Sequence, residues 1–371
     1  MAQLHDIAIL GATPAGLAAA CALGRKHKVA VMVCPPQDVE CPLTDWTPGS
    51  LLGMAGMPRS LVSQSQAESF KVVRYYNASL TDEAENRSRS VTGHFVNVAS
   101  LVRALRAAAS KSGTVFRSTT TAPTVRLEED AVELRGTTSI RAKLLIVASG
   151  RPSDALGDLG LPVHSLPSPP LTVAGLDVPL GRKADGDGAS GALHVVETTE
   201  RSEMGLYFVH GGTLHLRLIS TSHAAGNRAS ELSALLADLQ AAERLPKSLP
   251  LGKAKGAVWH PPAAMALDME THVAKRCLIA GSAGGFADPI TGQTLYPSIR
   301  SSVLAADVAA KALAGDDPQN DLAPFKSLWR NELADYLRPP STSLQMLLPL
   351  MFVNRQIVQR FTAALVEGES I

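Results

Sequence analysis

The stretch Asp6–Val33 reads DIAILGATPAGLAAACALGRKHKVAVMV, and its reading decides the fold class. Asp6 to Leu10 is a short apolar run ending at a glycine, as a buried parallel strand does. Gly11-Ala12-Thr13-Pro14-Ala15-Gly16 is a turn. The alanine-rich run from Leu17 to Leu23 is a helix whose small side chains let it lie close on a sheet. Lys28 to Val33 is the next strand. Strand, glycine turn, helix and strand fit within about 30 residues, the proportion of a dinucleotide-binding βαβ unit. Gly11 serves the tight turn and Gly16 the close helix–strand approach. The N–H groups and dipole at the helix start favour a pyrophosphate. Thr13 stands where a middle glycine would let phosphate reach the backbone, and its hydroxyl offers phosphate a donor instead.

Outside this unit, composition narrows the field. At roughly 100–200 residues per domain, 371 residues imply two lobes or one enlarged α/β domain. Hydrophobic residues at 45% and charged residues at 19% supply a substantial core and exclude a disordered chain. Lys plus Arg total 35 against 34 Asp plus Glu, with no basic run, which argues against a nucleic-acid partner. Cys21, Cys34, Cys41 and Cys277 show neither CxxC nor paired spacing, so no disulfide framework or metal site is expected. Cys34 and Cys41 read as ordinary thiols rather than a redox pair. The start MAQLHDIAIL has no basic n-region, and a cytoplasmic, reducing setting is the expectation. The apolar run Leu344–Val353 holds Gln345 and Pro349 and is too short to span a bilayer, so no transmembrane segment is expected.

Further apolar runs continue the pattern. Lys143–Ala148 (KLLIVA) and Cys277–Ala280 (CLIA) are buried strands that each feed a small-residue turn, and with 6–10 and 28–33 they should share one mostly parallel sheet. Residues 35–90, rich in Pro, Ser and Gly, read as an excursion. Asn97–Ser110 is an amphipathic helix, and Val115–Gly136 alternates like a β-meander. Leu193–Ser220 holds LHVVET, GLYFVH and TLHLRLIS, expected to form a second sheet over a pocket. Helices are expected at Glu231–Ala242, at about Tyr296–Ala314 and through much of the tail from Leu322.

The second glycine element, Gly281–Ser302, reads GSAGGFADPITGQTLYPSIRSS and follows an apolar strand. Here the sequence resembles the FAD-binding fold of the p-hydroxybenzoate hydroxylase class, with its geranylgeranyl reductase-like and flavin-dependent halogenase branches. That class carries a late motif like GDAAGFVDPLTGEGI at a strand end. The segments LVRALRAAASKSG and LLIVASGRPSDALGDLGL are similar to the class's middle elements, and the tail near Trp329-Arg330-Asn331-Glu332 is similar to the reductase branch. The resemblance covers most of the chain, least at 35–90 and 190–260.

The resemblance implies an α/β, Rossmann-like FAD domain of residues 1–35, 91–160 and 270–320, a substrate or cap domain of 36–90 and 161–269 with an inserted β-sheet, and a helical C-terminal region of 321–371. It implies FAD contacts at Gly11, Thr13, Pro14, Ala15, Gly16 and Cys34, and at Gly281, Ser282, Ala283 and Gly284 for pyrophosphate and ribityl. The flavin ring would lie near Asp288, Pro289, Gly292, Gln293 and Thr294. Five positions depart from the class. It has glycine at Thr13, a ribose-binding acid at Val33 or Cys34, arginine at Val98, aspartate at Ser282 and glycine at Thr294. Those losses predict FAD binding weaker than usual. The implied activity is that of a monooxygenase or double-bond reductase acting on an apolar or aromatic, even lipid-like, small molecule. NAD(P)H or a partner reductase would be the electron source. The alternative is a protein that keeps the fold, has lost the cofactor and works as a binding or scaffold protein.

Catalytic residues do not stand out. Tyr207, Phe208, His210 and His260 are the candidates for the substrate pocket, each histidine serving equally as a structural group. Asp288 reads as either a neighbour of the ring edge or the cap of the turn after it. The Trp-x-Trp of the halogenase branch is absent near Gly205, where Leu206, Tyr207 and Phe208 stand, which argues against halogenation.

Overall fold

The computed structural model describes residues 3–35, 45–150, 154–161, 171–180, 191–198, 203–221, 228–318, 320–339 and 347–369. In chain order its strands begin with β1 (Leu4–Leu10), β2 (Val29–Val33), β3 (Asp45–Pro48), β4 (Glu68–Phe70), β5 (Val72–Tyr76) and β6 (Glu83–Arg87). They continue with β7 (Gly93–Val96), β8 (Val115–Ser118), β9 (Thr124–Leu127), β10 (Val132–Arg135), β11 (Ser139–Val147) and β12 (Thr172–Pro179). The last are β13 (Ala192–Glu197), β14 (Glu203–His210), β15 (Thr213–Ser220), β16 (Lys255–Trp259), β17 (Val273–Ala274) and β18 (Cys277–Ile279).

The four apolar runs do share a sheet. Its order is β17-β18-β11-β1-β2-β8, and the β18–β11, β11–β1, β1–β2 and β2–β8 pairs are parallel. Both faces are covered, which is why these strands are apolar throughout rather than alternating. Helices Pro14–Leu23, Leu295–Ala312 and Pro324–Leu337 bury Ile7, Ile9, Val31 and Ile146 on one side. The β9–β10 hairpin helps to cover Ala8, Leu10 and Met32 on the other. Only part of the expected meander is antiparallel: β9, β10 and β11 are, whereas β8 joins the parallel edge.

A separate seven-stranded sheet has the order β16-β12-β15-β14-β13-β5-β6. The stretch read as an excursion therefore supplies two of its strands, β5 and β6, and β3 and β4 of a small β3-β7-β4 sheet. Short strands without a buried face, such as the mostly polar Glu83–Arg87, carry little periodic signal. The seven-stranded sheet turns Leu214, Leu216 and Leu218 onto helix Arg228–Ala241. Its inner face packs Val173, Leu206 and Phe208 with Trp46, Phe95 and Ile290, and with Met351, Phe361 and Leu365 of the C-terminal region. Leu348 and Met351 of the apolar tail run are thus core residues. Among the described residues no helix is long and apolar enough to cross a membrane.

The first turn is held by close backbone packing. Gly11 adopts φ +112°, and a Cβ there would sit 2.5 Å from the Ala148 carbonyl oxygen. A Cβ on Gly16 would collide with the Gly11 carbonyl. Gly11→Ala is expected to cost about 1–3 kcal/mol in urea unfolding. Gly53→Ala, at an exposed position facing open space, should stay within about 0.5 kcal/mol of the parent. Equal stability of the two variants would contradict the packing described.

Candidate cofactor and substrate site

Two glycine turns meet at the carboxyl end of β11. In the first, Thr13 caps helix Pro14–Leu23: its Oγ1 accepts from Gly16 N at 3.1 Å and donates to Ala148 O at 2.7 Å. The hydroxyl offered to phosphate is therefore spent inside the chain. Pro14 and Ala15 are buried beside it. In the second turn Gly281, at φ +63°, donates its N–H to Ser301 Oγ at 3.0 Å. Ala283 N donates to Ser149 O at 3.1 Å, next to the carbonyl taken by Thr13. The Gly284 carbonyl is bonded by His272 Nε2 at 2.9 Å. Ser282 is buried, with its Oγ 3.3 Å from Ser298 Oγ. Cys34 is buried just beyond β2, its Sγ 3.9 Å from Thr121 O, and supplies no ribose acid. Cys41 lies outside the described residues.

The loop after the second turn lies against the seven-stranded sheet. Gly292, at φ +70°, has Pro261 and the Leu171 and Val173 side chains so near that a Cβ would come within 2.5 Å of Pro261 Cγ. Pro289 is half-buried. Asp288 caps its own turn, accepting from Ile290 N at 3.0 Å, Thr291 N at 3.1 Å and Thr291 Oγ1. Gln293 donates from Nε2 to Trp46 O and accepts from Tyr336 Oη at 3.2 Å, tying β3 to helix Pro324–Leu337. Thr294 ends the loop at the start of helix Leu295–Ala312, and its Oγ1 is buried without a hydrogen-bond partner.

These residues fit a dinucleotide through backbone rather than side chains. The paired turns keep the close approach that glycines permit, and the Thr294 hydroxyl is an unmet polar atom where the resemblance puts the flavin ring. Thr13, Ser282, Asp288 and Gln293 spend their polar atoms within the chain.

The pocket candidates divide between two faces. Phe208 points inward, stacked on Phe95 with centroids 4.5 Å apart and edge-on to Trp46 at 6.3 Å. His210 shares that face and its Nε2 bonds Gln66 O at 2.7 Å. Tyr207 faces the other way, stacked on His194 at 4.2 Å in the cluster that packs on helix Arg228–Ala241. His260 is exposed, with Nδ1 3.2 Å from Thr172 Oγ1. Sequence reasoning missed the charged part of the inner face. His215 Nδ1 lies 2.8 Å from Asp177 Oδ1, and Arg217 Nη1 donates to the same oxygen at 2.9 Å. The signal was present in TLHLRLIS, where His215 and Arg217 alternate with leucines on a strand buried on both faces.

Asp45, on β3, completes this polar set. Burial pushes its carboxyl up to about 7, opposed by the Arg217 charge and the Trp46 N–H at 2.9 Å. Burial likewise pushes Asp288 up to about 6. Because folding raises the Asp45 pKa, the folded state binds the proton more tightly than the unfolded chain. That stabilisation is full below about pH 4 and is lost as pH rises through about 7. Relative to Asp45→Asn, the parent chain should lose stability across this window with a slope of at most about 1.4 kcal/mol per pH unit. Urea unfolding at a series of pH values checks this, and parallel curves for the two proteins would contradict it.

No family model matches the chain, and no curated protein matches its sequence. Solved structures do match its fold. A geranylgeranyl bacteriochlorophyll reductase-like protein from Thermoplasma acidophilum superposes with TM-score 0.75 at 16% identity, over 98% of this chain and 96% of that one. A flavin-dependent brominase gives TM-score 0.70 at 12% identity, over 98% and 90%. A halogenase mutant in complex with FAD gives 0.68 at 13% identity, over 90% and 75%. The chain has the Rossmann-type fold of FAD-dependent oxidoreductases and halogenases.

Proposed function

We propose that this chain is an FAD-dependent oxidoreductase that acts on an apolar or aromatic small molecule beneath the seven-stranded sheet. The observation that carries the reading is the meeting of the Gly11–Gly16 and Gly281–Gly284 turns at Ala148–Ser149. The first turn would hold the adenosine side of the dinucleotide, the second its pyrophosphate and ribityl, and the loop 288–294 its ring. Bound there, FAD supplies hydride or oxygen chemistry that no side chain of the protein provides. The chain's own part is to orient and to exclude water. Trp46, Phe95, Phe208 and Ile290 pack as a buried apolar cluster that would border a flat substrate, and Arg217 and His215 would give that border one polar edge. Monooxygenase and double-bond reductase chemistries share this requirement, with NAD(P)H or a partner reductase as electron source.

A second reading, a binding protein that has lost FAD, is favoured by one observation: the side chains of Thr13, Ser282, Asp288 and Gln293 are already engaged within the chain. Titration of the purified chain with FAD, followed by flavin absorbance and fluorescence, separates the two. Saturable binding is expected, weakened relative to an enzyme holding all the side-chain contacts, each worth about 1–3 kcal/mol. Thr294→Val should weaken it about tenfold without lowering the thermal unfolding temperature of the ligand-free chain, because the lost hydroxyl has no partner in the chain. A chain that stays colourless after millimolar FAD overturns the flavin reading and leaves the binding-protein reading.

A further inference from the structure

The small β3-β7-β4 sheet lies between two apolar clusters, and its two sides differ. Trp46, Phe70 and Phe95 pack with Val173, Leu206 and Phe208 of the seven-stranded sheet. On the opposite side Val96 packs with Leu17, Leu295 and Ile299, in the first turns of the helices that follow the first glycine turn and the loop 288–294. Side chains alternate along a strand, so Thr47 and His94, which are direct cross-strand neighbours, share the side of Val96. Thr47 Oγ1 and His94 Nδ1 are buried, and neither has a hydrogen-bond partner among the described residues. They stand side by side and still do not satisfy one another. Gln293 bonds the carbonyl of Trp46, the residue before Thr47, which brings Thr294 to the same strand. Thr294 Oγ1 is a third buried atom without a partner there. Thr47 is fully buried and Thr294 is 3% exposed, so solvent does not meet their hydroxyls either. A valine would fill either place without stranding a polar atom, and buried polar groups are almost always bonded.

The adenosine side is the reverse. Val33 and Cys34 offer no acid to a ribose, the Thr13 hydroxyl is held by Ala148 O, and Ser282 Oγ lies 3.3 Å from Ser298 Oγ. We propose that Thr47, His94 and Thr294 are the side-chain contacts of the flavin half of the cofactor, that this half supplies most of the binding, and that the site takes riboflavin or its phosphate as well as FAD. The proposal rests on the oxidoreductase reading and deepens it by changing which half of the cofactor is selected. The three groups suit that half chemically. A flavin ring edge alternates carbonyl and N–H groups, and the ribityl chain carries hydroxyls, so donors and acceptors are both needed. A threonine hydroxyl supplies either, and an imidazole nitrogen supplies one or the other according to its tautomer. Burial holds the His94 imidazole below its ordinary range, which keeps it neutral at pH 7 with both tautomers open to it. The adenosine half is left with backbone N–H groups at a helix start and without the charge-assisted bond that a carboxylate gives a ribose hydroxyl. Adding that half to a bound flavin gains little.

The test titrates the full chain with riboflavin, FMN and FAD by flavin fluorescence, and with ADP by displacement of FAD. Riboflavin and FMN are expected to bind within about tenfold of FAD, and ADP more weakly than riboflavin. Thr47→Val and His94→Phe should each weaken riboflavin and FAD by the same factor, about tenfold, without lowering the thermal unfolding temperature of the ligand-free chain. Nitrogen-15 spectra give a reading that needs no variant: the His94 Nδ1 signal should move on addition of riboflavin and stay in place on addition of ADP. Riboflavin weaker than FAD by more than that factor, ADP tighter than riboflavin, flavin affinity unchanged in either folded variant, or a His94 signal that riboflavin does not move each overturns the proposal. In all of these cases the chain still binds FAD, and the oxidoreductase reading stands. A chain that binds none of the three flavins overturns both.

Discussion

Everything in this protein is arranged around the contact of two turns with one strand end. The Gly11 backbone lies against Ala148, the Thr13 hydroxyl holds the Ala148 carbonyl, and Ala283 N holds that of Ser149. Three segments distant in sequence thus share a patch two residues wide. The patch tolerates no Cβ at Gly11 and none at Gly16, so glycine there is a packing requirement before it is a ligand-binding one. The same constraint brings β1, β11 and β18 into parallel register, with their carboxyl ends at the crevice where α/β folds take ligands.

The second sheet meets this crevice through the loop 288–294. Gln293 fixes the loop to Trp46 on one side and Tyr336 on the other, and Gly292 lets it rest on Val173 and Leu171. The amide nitrogen and the amide oxygen of buried Gln293 each have a partner, so its position is specified by two different elements. The charged residues of the inner face stand near this junction. The buried Asp45 carboxyl is attracted by the Arg217 charge and repelled by those of Asp288 and Asp177.

The parallel sheet was legible in the sequence because buried parallel strands are continuous apolar runs, and three of the four end in a small-residue turn. The glycine spacing marked both turns for the same reason. Strands β5 and β6 escaped notice because Val72–Tyr76 and Glu83–Arg87 mix burial states and lie in a stretch rich in turn-forming residues. Thr13 was assigned a donor role toward phosphate, and a capping threonine with a nearby carbonyl gives its proton to that carbonyl instead. Tyr207 and Phe208 could not be told apart by composition, since adjacent strand residues face opposite ways and both faces of this sheet are apolar. The His215–Asp177 pair was invisible for a different reason. Its members come from strands 38 positions apart, and only the β12–β15 register makes them neighbours.

The order in which the ribosome delivers these pieces has a consequence of its own. Helix Pro14–Leu23 emerges early, yet the helix that covers it, Leu295–Ala312, is among the last elements to be made. At about 5–20 residues per second, roughly 15–60 seconds separate the two. During that interval Leu17 and Ala18 wait without Leu295, Ile299 and Val303, while β12 to β16 are already complete and free to pair. The seven-stranded sheet is therefore positioned to assemble first and to wait for the parallel one. A nascent chain arrested before residue 277 would leave Leu17 and Ala18 covered by Leu101 and Leu105 but without Leu295, Ile299 and Val303, a partly exposed apolar surface of the kind that holdase chaperones bind.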